Sequence, residues 1–586
     1  VKFGSRKIIR FSSDPLSLAD ILCSFIEMKE TVQGEYKGNP NRQDYAAVID
    51  QAVPLELKIE IPWTRERFPV ALKPHTVNPR VRVLDDILKE ELTMEECDKI
   101  DGFTLSNNVA DETLATEALT QLIRERESAD ADDITVALIM MMALQPPSRQ
   151  DNKEKGEEDY YDLLVADTSS GAINLDPAFG EVGGHKLEMQ SAAARAAASG
   201  TPLLNYEAYP KGREVIKKGK KIRQIVAQPY PVYLKSLAFG GDETKKHGNV
   251  VLGEATGLAR KDGNFLRILF SMYLDYKAFH PGETLDNFMQ HLESEGLDED
   301  DKKSWEANIN MFSGVVYLFL WAASVGVVDK NVADMGQVLS HYAWPCIKYM
   351  RHWCYFAPWA VASGDFKTLD GNTKRHMIGY QKLSYELQKH RHLRKSCGCW
   401  LCEEVESDVY VDDEMLSRVV GGVYLGDDRL RMSVKLPVAR WIDKVLGTRT
   451  IAEHKNAFFE MGNAAEFCKV SFGREFDTFR EITRVMAKLK WGVAMEDDEF
   501  VLCALQSASL EIGPNGRAQK VLQRFYSSIA EEGTAVYNEE MQSRCGLPLG
   551  EPLHPYTEGE VRVLQAGGDG VMLQTAREWG ALVRRN

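Results

Sequence analysis

Val423-Tyr424-Leu425-Gly426-Asp427-Asp428 is an apolar approach, a glycine and two adjacent carboxylates. Valine, tyrosine and leucine suit a strand, and glycine permits a tight turn that a larger residue resists. The segment predicts a β-hairpin with Asp427 at its tip. Adjacent carboxylates repel unless a cation neutralises them. A surface turn in an acidic chain is the other reading of a lone Gly-Asp-Asp triplet, so its meaning depends on what else the chain carries.

A distant partner is Leu269-Phe270-Ser271-Met272-Tyr273-Leu274-Asp275. The apolar run from Phe265 to Leu274 predicts a strand ending in a carboxylate. Paired beside the hairpin, it brings Asp275 to Asp427, with room for two Mg²⁺ ions about 3.5–4 Å apart. Carboxylate oxygens are the hard ligands that Mg²⁺ prefers. The plainer reading of Asp275 is a strand-end residue before a turn.

Ser363-Gly364-Asp365-Phe366-Lys367-Thr368-Leu369-Asp370-Gly371-Asn372-Thr373 is the most specific segment. A serine and glycine sit in a loop, and a helix starting here carries Thr368 and Asn372 on one face. An amide both donates to and accepts from a ribose hydroxyl, and the 2′-hydroxyl distinguishes RNA from DNA precursors. A solvated polar helix start, well supplied with capping residues, is the alternative.

The segment Lys217-Lys218-Gly219-Lys220-Lys221-Ile222-Arg223 packs five cations into seven residues. Alternation over 221–225 puts Lys221 and Arg223 on one strand face and Ile222 on the other. Such a face neutralises triphosphate, through point charges from lysine and a bidentate fork from arginine. A solvated basic loop fits the same residues.

The remaining composition sets bounds. A chain of 586 residues suggests two to four domains. With 44% apolar and 27% charged residues, long disordered stretches are not expected. The net charge of -16 argues against a protein that simply coats nucleic acid, but not against a local basic channel. Ten scattered cysteines do not make a disulfide scaffold and point to a reducing compartment. The uncharged stretch Met311 to Val328 holds two glycines and two serines and reads as a buried helix rather than a membrane span. Further expectations are a packed helical segment at Val136–Leu144, an alanine-rich helix at Ser191–Ala198, a largely helical region over 286–360 and a helical tail at Gln574–Val583.

Taken in chain order, the four segments resemble the viral RNA-dependent RNA polymerases of positive-strand or double-stranded RNA viruses. The resemblance implies an α+β right-hand fold with fingers, palm and thumb. On that template residues 1–150 are an N-terminal extension and part of the fingers, and 151–265 are fingers with the basic segment. Residues 266–285 are palm with the first metal aspartate, 286–360 a helical fingers insertion, 361–475 palm with the ribose-sensing loop and hairpin, and 476–586 thumb. It implies catalytic metal ligands Asp275, Asp427 and Asp428, with Mg²⁺ or Mn²⁺ as cofactor. Lys220, Lys221 and Arg223 would meet the triphosphate, and Ser363, Gly364, Thr368 and Asn372 the nucleotide. The partners implied are RNA template, nascent RNA, NTPs and viral capsid or replication proteins, in the host cytoplasm or inside the virion. A reverse transcriptase or other palm polymerase, and a non-catalytic viral RNA-binding protein, are the competing readings.

The chain departs from the pattern in two places. Many relatives carry a second aspartate five residues beyond the first; counted from Asp275, that place holds His280, which either contacts the nucleotide or is simply packed. The general acid that protonates pyrophosphate should follow the hairpin, and Lys455 and Lys469 are candidates, with Lys469 favoured. Gly240-Gly241-Asp242-Glu243 is a second acidic turn, disfavoured because Lys245, Lys246 and His247 follow in place of a strand. Cys397, Cys399 and Cys402 cluster near His390; the Cys399–Cys402 spacing suits zinc, the Cys397–Cys399 spacing is tight for it, and ordinary thiols are favoured. The aromatics Tyr342 and Trp359 read as core rather than as base-stacking platforms.

Overall fold

A computed structural model describes residues 58–60, 80–108, most of 206–237, residue 255, most of 266–364, most of 368–442, 450–493 and most of 498–565. The segments Val136–Leu144, Ser191–Ala198, Gly240–Glu243 and Gln574–Val583 lie outside the described residues.

The centre is a four-stranded antiparallel sheet. In spatial order its strands are Val423–Leu425, Asp428–Met432, Leu297–Lys302 and Thr450–Lys455. The first two form the expected hairpin, with Leu425 opposite Asp428 and only Gly426 and Asp427 between. Gly426 has φ +64°, while Asp427 is not among the residues of positive φ. A two-residue turn left-handed only at its first position is the type II′ arrangement, which favours glycine there.

The third strand, Leu-Asp-Glu-Asp-Asp-Lys, is the surprise: four acidic residues occupy the middle of a sheet. Alternation divides them between two faces. Asp298 and Asp300 face the buried guanidiniums of Arg431 and Arg429, their register partners. Arg429 Nη1 lies 3.1 Å from Asp300 Oδ2, with both side chains fully buried. Burial alone would raise the Asp300 carboxyl, but Arg431, Arg429 and Lys302 hold it down at about 2. Asp298 accepts from Ser433 Oγ and the Val434 N–H at 3.0 Å each. On the other face Glu299 meets Lys455 Nζ at 2.9 Å. Buried charge is tolerated here because each acid finds a cation or donor. Helices Leu285–Glu295, Trp305–Asn308 and Met311–Val325 make up most of the described part of 286–360, as expected, but the stretch also supplies the central strand, and Cys346–Lys348 and Trp353–Phe356 are strands of a five-stranded sheet.

One face of the central sheet packs on a helix, Arg267–Phe279. This corrects the strand expected over 265–274. Its buried positions Ile268, Leu269, Met272, Tyr273 and Tyr276 recur at helical spacing, and a continuous apolar run cannot by itself separate a strand from a buried helix. The other face packs on the long helix Thr368–Lys389, which also contacts the apolar helix Met311–Val325. Among the described residues no helix is long and apolar enough to cross a membrane. Tyr342 and Trp359 are buried.

The C-terminal helices, including Ile482–Lys488, Asp498–Ile512 and Gly516–Ser527, share a core with Arg80–Glu91. Arg524 bridges Glu91 and Glu90 at 2.6 Å each. Residues 80–101 thus belong structurally with the C-terminal helices, and 103–105 pair with Val215–Lys217 in a two-stranded sheet. The N-terminal stretch therefore links the C-terminal helices to the basic segment, a cross-connection that a division at residue 150 does not convey.

Candidate active site

The hairpin turn is held from the side by the Thr368–Lys389 helix. The Gly426 N–H donates to Thr373 Oγ1 at 2.8 Å. His376 Nδ1 lies 3.2 Å from the Gly426 carbonyl oxygen. A carbonyl only accepts, so Nδ1 carries the hydrogen. Burial, reinforced by Lys302 and Arg429, pushes His376 well below its ordinary value, so the ring is neutral.

Across the sheet, Asp301 stands directly opposite Asp428. Directly opposed residues of an antiparallel pair share a face, with Cβ atoms about 4.5–5.5 Å apart. Asp427 is raised to about 7, first by burial and then by the charges of Asp428, Glu306 and Asp301. Asp428 is raised by burial and by Asp301 and Glu299, against the pull of Lys469. A divalent cation beside these carboxylates would relieve both the burial and the mutual repulsion. Asp301, Asp427 and Asp428 are the residues that would hold it, although among the described residues only His390, Cys397, Cys399 and Cys402 are drawn together closely enough to share one ion.

Asp275 lies elsewhere. It sits on the Arg267–Phe279 helix beside Gly421, whose Cβ, if present, would be 3.5 Å from Asp275 Oδ2. Gly421 precedes the first hairpin strand, at the end away from the turn. The acid that the sheet register sets opposite Asp428 is Asp301, not Asp275. His280 belongs to the same outlying region: its ring stacks on Tyr276 at 4.3 Å and its Nε2 meets Glu414 at 3.2 Å.

The loop before the long helix is anchored to the strand that follows the basic segment. The Val226 N–H donates to Ser363 Oγ at 3.0 Å, and Ser363 Oγ donates to the Gln224 carbonyl at 3.2 Å. The Gly364 N–H donates to the Val226 carbonyl at 3.0 Å. A Cβ on Gly364 would lie 2.6 Å from that oxygen, so the close approach requires glycine. Thr368 Oγ1 donates to the Ala362 carbonyl at 2.7 Å, closing the loop. Asn372 is buried, and its Oδ1 has no hydrogen-bond partner.

In the basic segment, the strand begins at Gln224 rather than 221. Lys220, Lys221 and Arg223 are nevertheless exposed and Ile222 buried. Arg223 pairs with Glu214, and the charges of Glu306 and Asp427 also act on it. The arginine therefore borders the carboxylate cluster. Lys455 is engaged by Glu299 at 2.9 Å and Glu453 at 3.2 Å. Lys469 is looser, 3.9 Å from Glu299, and its charge reaches Asp428. It lies in a tight turn with Cys468, both residues having positive φ, closed by reciprocal backbone bonds between Phe467 and Val470.

Two members of this cluster were missed in the sequence reading, Asp301 and Glu306. The available signal was Arg429-Leu430-Arg431 next to the hairpin: alternate arginines on a buried strand demand alternate acids on its neighbour, and Asp298-Glu299-Asp300 supplies them. No protein-family model matches the chain, and no curated protein matches it significantly.

Proposed function

We propose that the chain is an RNA-templated RNA polymerase with a palm-type active site, in which Asp301 takes the role expected of Asp275. The observation that carries the reading is the register of Asp301 opposite Asp428, beside the turn that presents Asp427. A solvent-facing Gly-Asp-Asp turn would not be gripped through both backbone groups of its glycine by a second element, nor face a third acid across a sheet.

In this reading the central sheet is palm, the C-terminal helices are thumb, and the basic segment with the Ser363 loop belongs to fingers. Asp301, Asp427 and Asp428 would hold Mg²⁺ or Mn²⁺, which would supply activation of the 3′-hydroxyl and charge stabilisation on the triphosphate. The hydroxyl oxygen bonds to the α-phosphorus, and the bond from that phosphorus to the bridging oxygen breaks, releasing pyrophosphate. Arg223 and Lys221 bind the triphosphate, with Lys220 adding charge at the approach. Lys469 is the better-placed proton donor to pyrophosphate, because Lys455 is committed to Glu299 and Glu453.

Glu306 lies five residues after Asp301, the spacing at which many polymerases of the family carry a second aspartate. Its charge bears on both Asp427 and Arg223. We assign it, with the unpartnered Oδ1 of Asn372, to the ribose hydroxyls. Ser363, Gly364 and Thr368 shape the loop rather than contact the sugar, since their polar groups are already used. The partners are RNA template, nascent RNA and NTPs, with viral replication or capsid proteins, in the host cytoplasm or inside the virion.

The test is RNA synthesis on a defined template with labelled NTPs, with and without Mg²⁺. Metal-dependent, template-directed incorporation by the wild-type chain and none by Asp427→Asn is the expected result. RNA binding without incorporation would favour a non-catalytic binding protein. Preference for dNTPs would favour a reverse transcriptase.

A further inference from the structure

His390, Cys397, Cys399 and Cys402 place one ligand atom each within 4.8 Å of all the others. His390 Nε2 is 3.1 Å from Cys402 Sγ and 3.7 Å from Cys397 Sγ, and Cys397 Sγ is 3.4 Å from Cys399 Sγ. A tetrahedral zinc ion, with Zn–S about 2.3 Å and Zn–N about 2.0–2.1 Å, spaces its ligand atoms roughly 3.5–3.8 Å apart. The four side chains are therefore gathered at the scale of one ion.

Local structure explains the gathering. His390 directly follows the Thr368–Lys389 helix. A turn closed by the Cys397 N–H on the Arg394 carbonyl at 2.9 Å brings Cys397 back towards it. Cys402 rides on the short helix Trp400–Glu403, and its sulfur accepts from the Arg394 N–H at 3.2 Å. A backbone donor on sulfur is the outer support that metal thiolates commonly have. The tight Cys397–Cys399 spacing is no obstacle, because the turn and the short helix set the geometry.

We propose that these residues bind one structural Zn²⁺. Three sulfurs and one imidazole nitrogen in a compact set select zinc over the hard cations that suit the carboxylate cluster. Four protein ligands leave no open position, so the site is structural rather than catalytic. The ion fixes the far end of the helix whose beginning grips the Gly426 turn. It also ties in the small sheet of His392–Leu393 and Val409–Tyr410, where Leu393 and the nearby Leu401 and Val411 share a core with Tyr380 and Tyr424. Zinc binding here is independent of whether the chain copies RNA.

The experiment is elemental analysis of the purified full chain, prepared under reducing conditions without chelator. One zinc per chain is expected, with content at least about tenfold lower in Cys402→Ser and Cys399→Ser and unchanged in Cys97→Ser. Should the serine variants fail to fold, exchange of Co²⁺ into wild-type protein decides. Tetrahedral visible bands with sulfur charge transfer support the site, and octahedral or absent bands overturn it. Chelation should lower the melting temperature of the wild-type chain, with recovery on adding Zn²⁺ but not Mg²⁺. A zinc-free protein, or zinc retained in full by both folded serine variants, overturns the proposal.

Discussion

Thr373 Oγ1 accepts the Gly426 N–H at 2.8 Å while donating to the Leu369 carbonyl at 2.8 Å. The helix beginning at Thr368 thereby sets the position of the turn that carries Asp427. Thr373→Val keeps shape and volume but leaves the turn N–H buried without a partner, which costs about 1–3 kcal/mol. Nucleotide incorporation is expected to fall roughly tenfold or more with the fold intact, and Thr373→Ser should restore most of it. Wild-type incorporation by Thr373→Val would show that the grip does not position the site.

Asp301 and Asp275 make opposite predictions. Asp301→Asn removes a carboxylate facing Asp428 and should abolish Mg²⁺-dependent incorporation, a loss of several kcal/mol in the barrier. Asp275→Asn should leave incorporation near wild type. It should also stabilise the protein in a pH-dependent way. Burial raises the Asp275 carboxyl to about 6, above the unfolded value of about 3.9. The folded state binds this proton more tightly, so stability falls as pH rises from about 4 to 6 and the penalty is complete above that. Removing the charge should therefore add on the order of 1–2 kcal/mol at pH 8, after allowance for partial exposure, and nothing at pH 4. Denaturant unfolding of both proteins at the two pH values measures this.

The hairpin was legible because its information is local: three strand formers, one glycine and a charged tip within six residues. The loop and helix of 363–373 were legible for the same reason. The strand Leu297–Lys302 was not. After its leucine every residue is charged, and no intrinsic preference puts such a run inside a sheet. Its stability comes from arginines 129 or more residues away in the chain, visible only once the two strands are paired. The error at 265–274 has a different origin, since an apolar run contains helix and strand readings equally and only packing on both neighbours decides. The zinc ligands were visible as residues, but their convergence depends on a turn at 394–397 that spacing rules do not describe.

The pairing of Asp300 with Arg429 and Arg431 predicts a large loss of stability on breaking it. Asp300→Ala leaves two guanidiniums in a buried sheet without their shared acid, and a loss of about 3–5 kcal/mol is expected. Lys99→Ala breaks an ion pair with Glu95 at 2.9 Å, where both side chains are exposed, and should leave the denaturant midpoint nearly unchanged. Denaturant midpoints for the two variants test the contrast. Comparable midpoints would mean that the charged strand is not buried as described.

Glu306 provides a test of the sugar preference that the proposed function implies. It stands five residues beyond Asp301, at the start of the short helix Trp305–Asn308, where its charge reaches both Asp427 and Arg223. A carboxylate there accepts a hydrogen bond from a ribose hydroxyl, an interaction of about 1.5–3 kcal/mol that a deoxyribose cannot make in full. Glu306→Ala should therefore narrow the preference for NTP over dNTP by roughly tenfold to a hundredfold, mainly by slowing NTP use. The measurement is kcat/KM for matched NTP and dNTP on one template. Equal slowing of both nucleotides would assign Glu306 to triphosphate or metal positioning through Arg223 and Asp427, and leave sugar selection to Asn372.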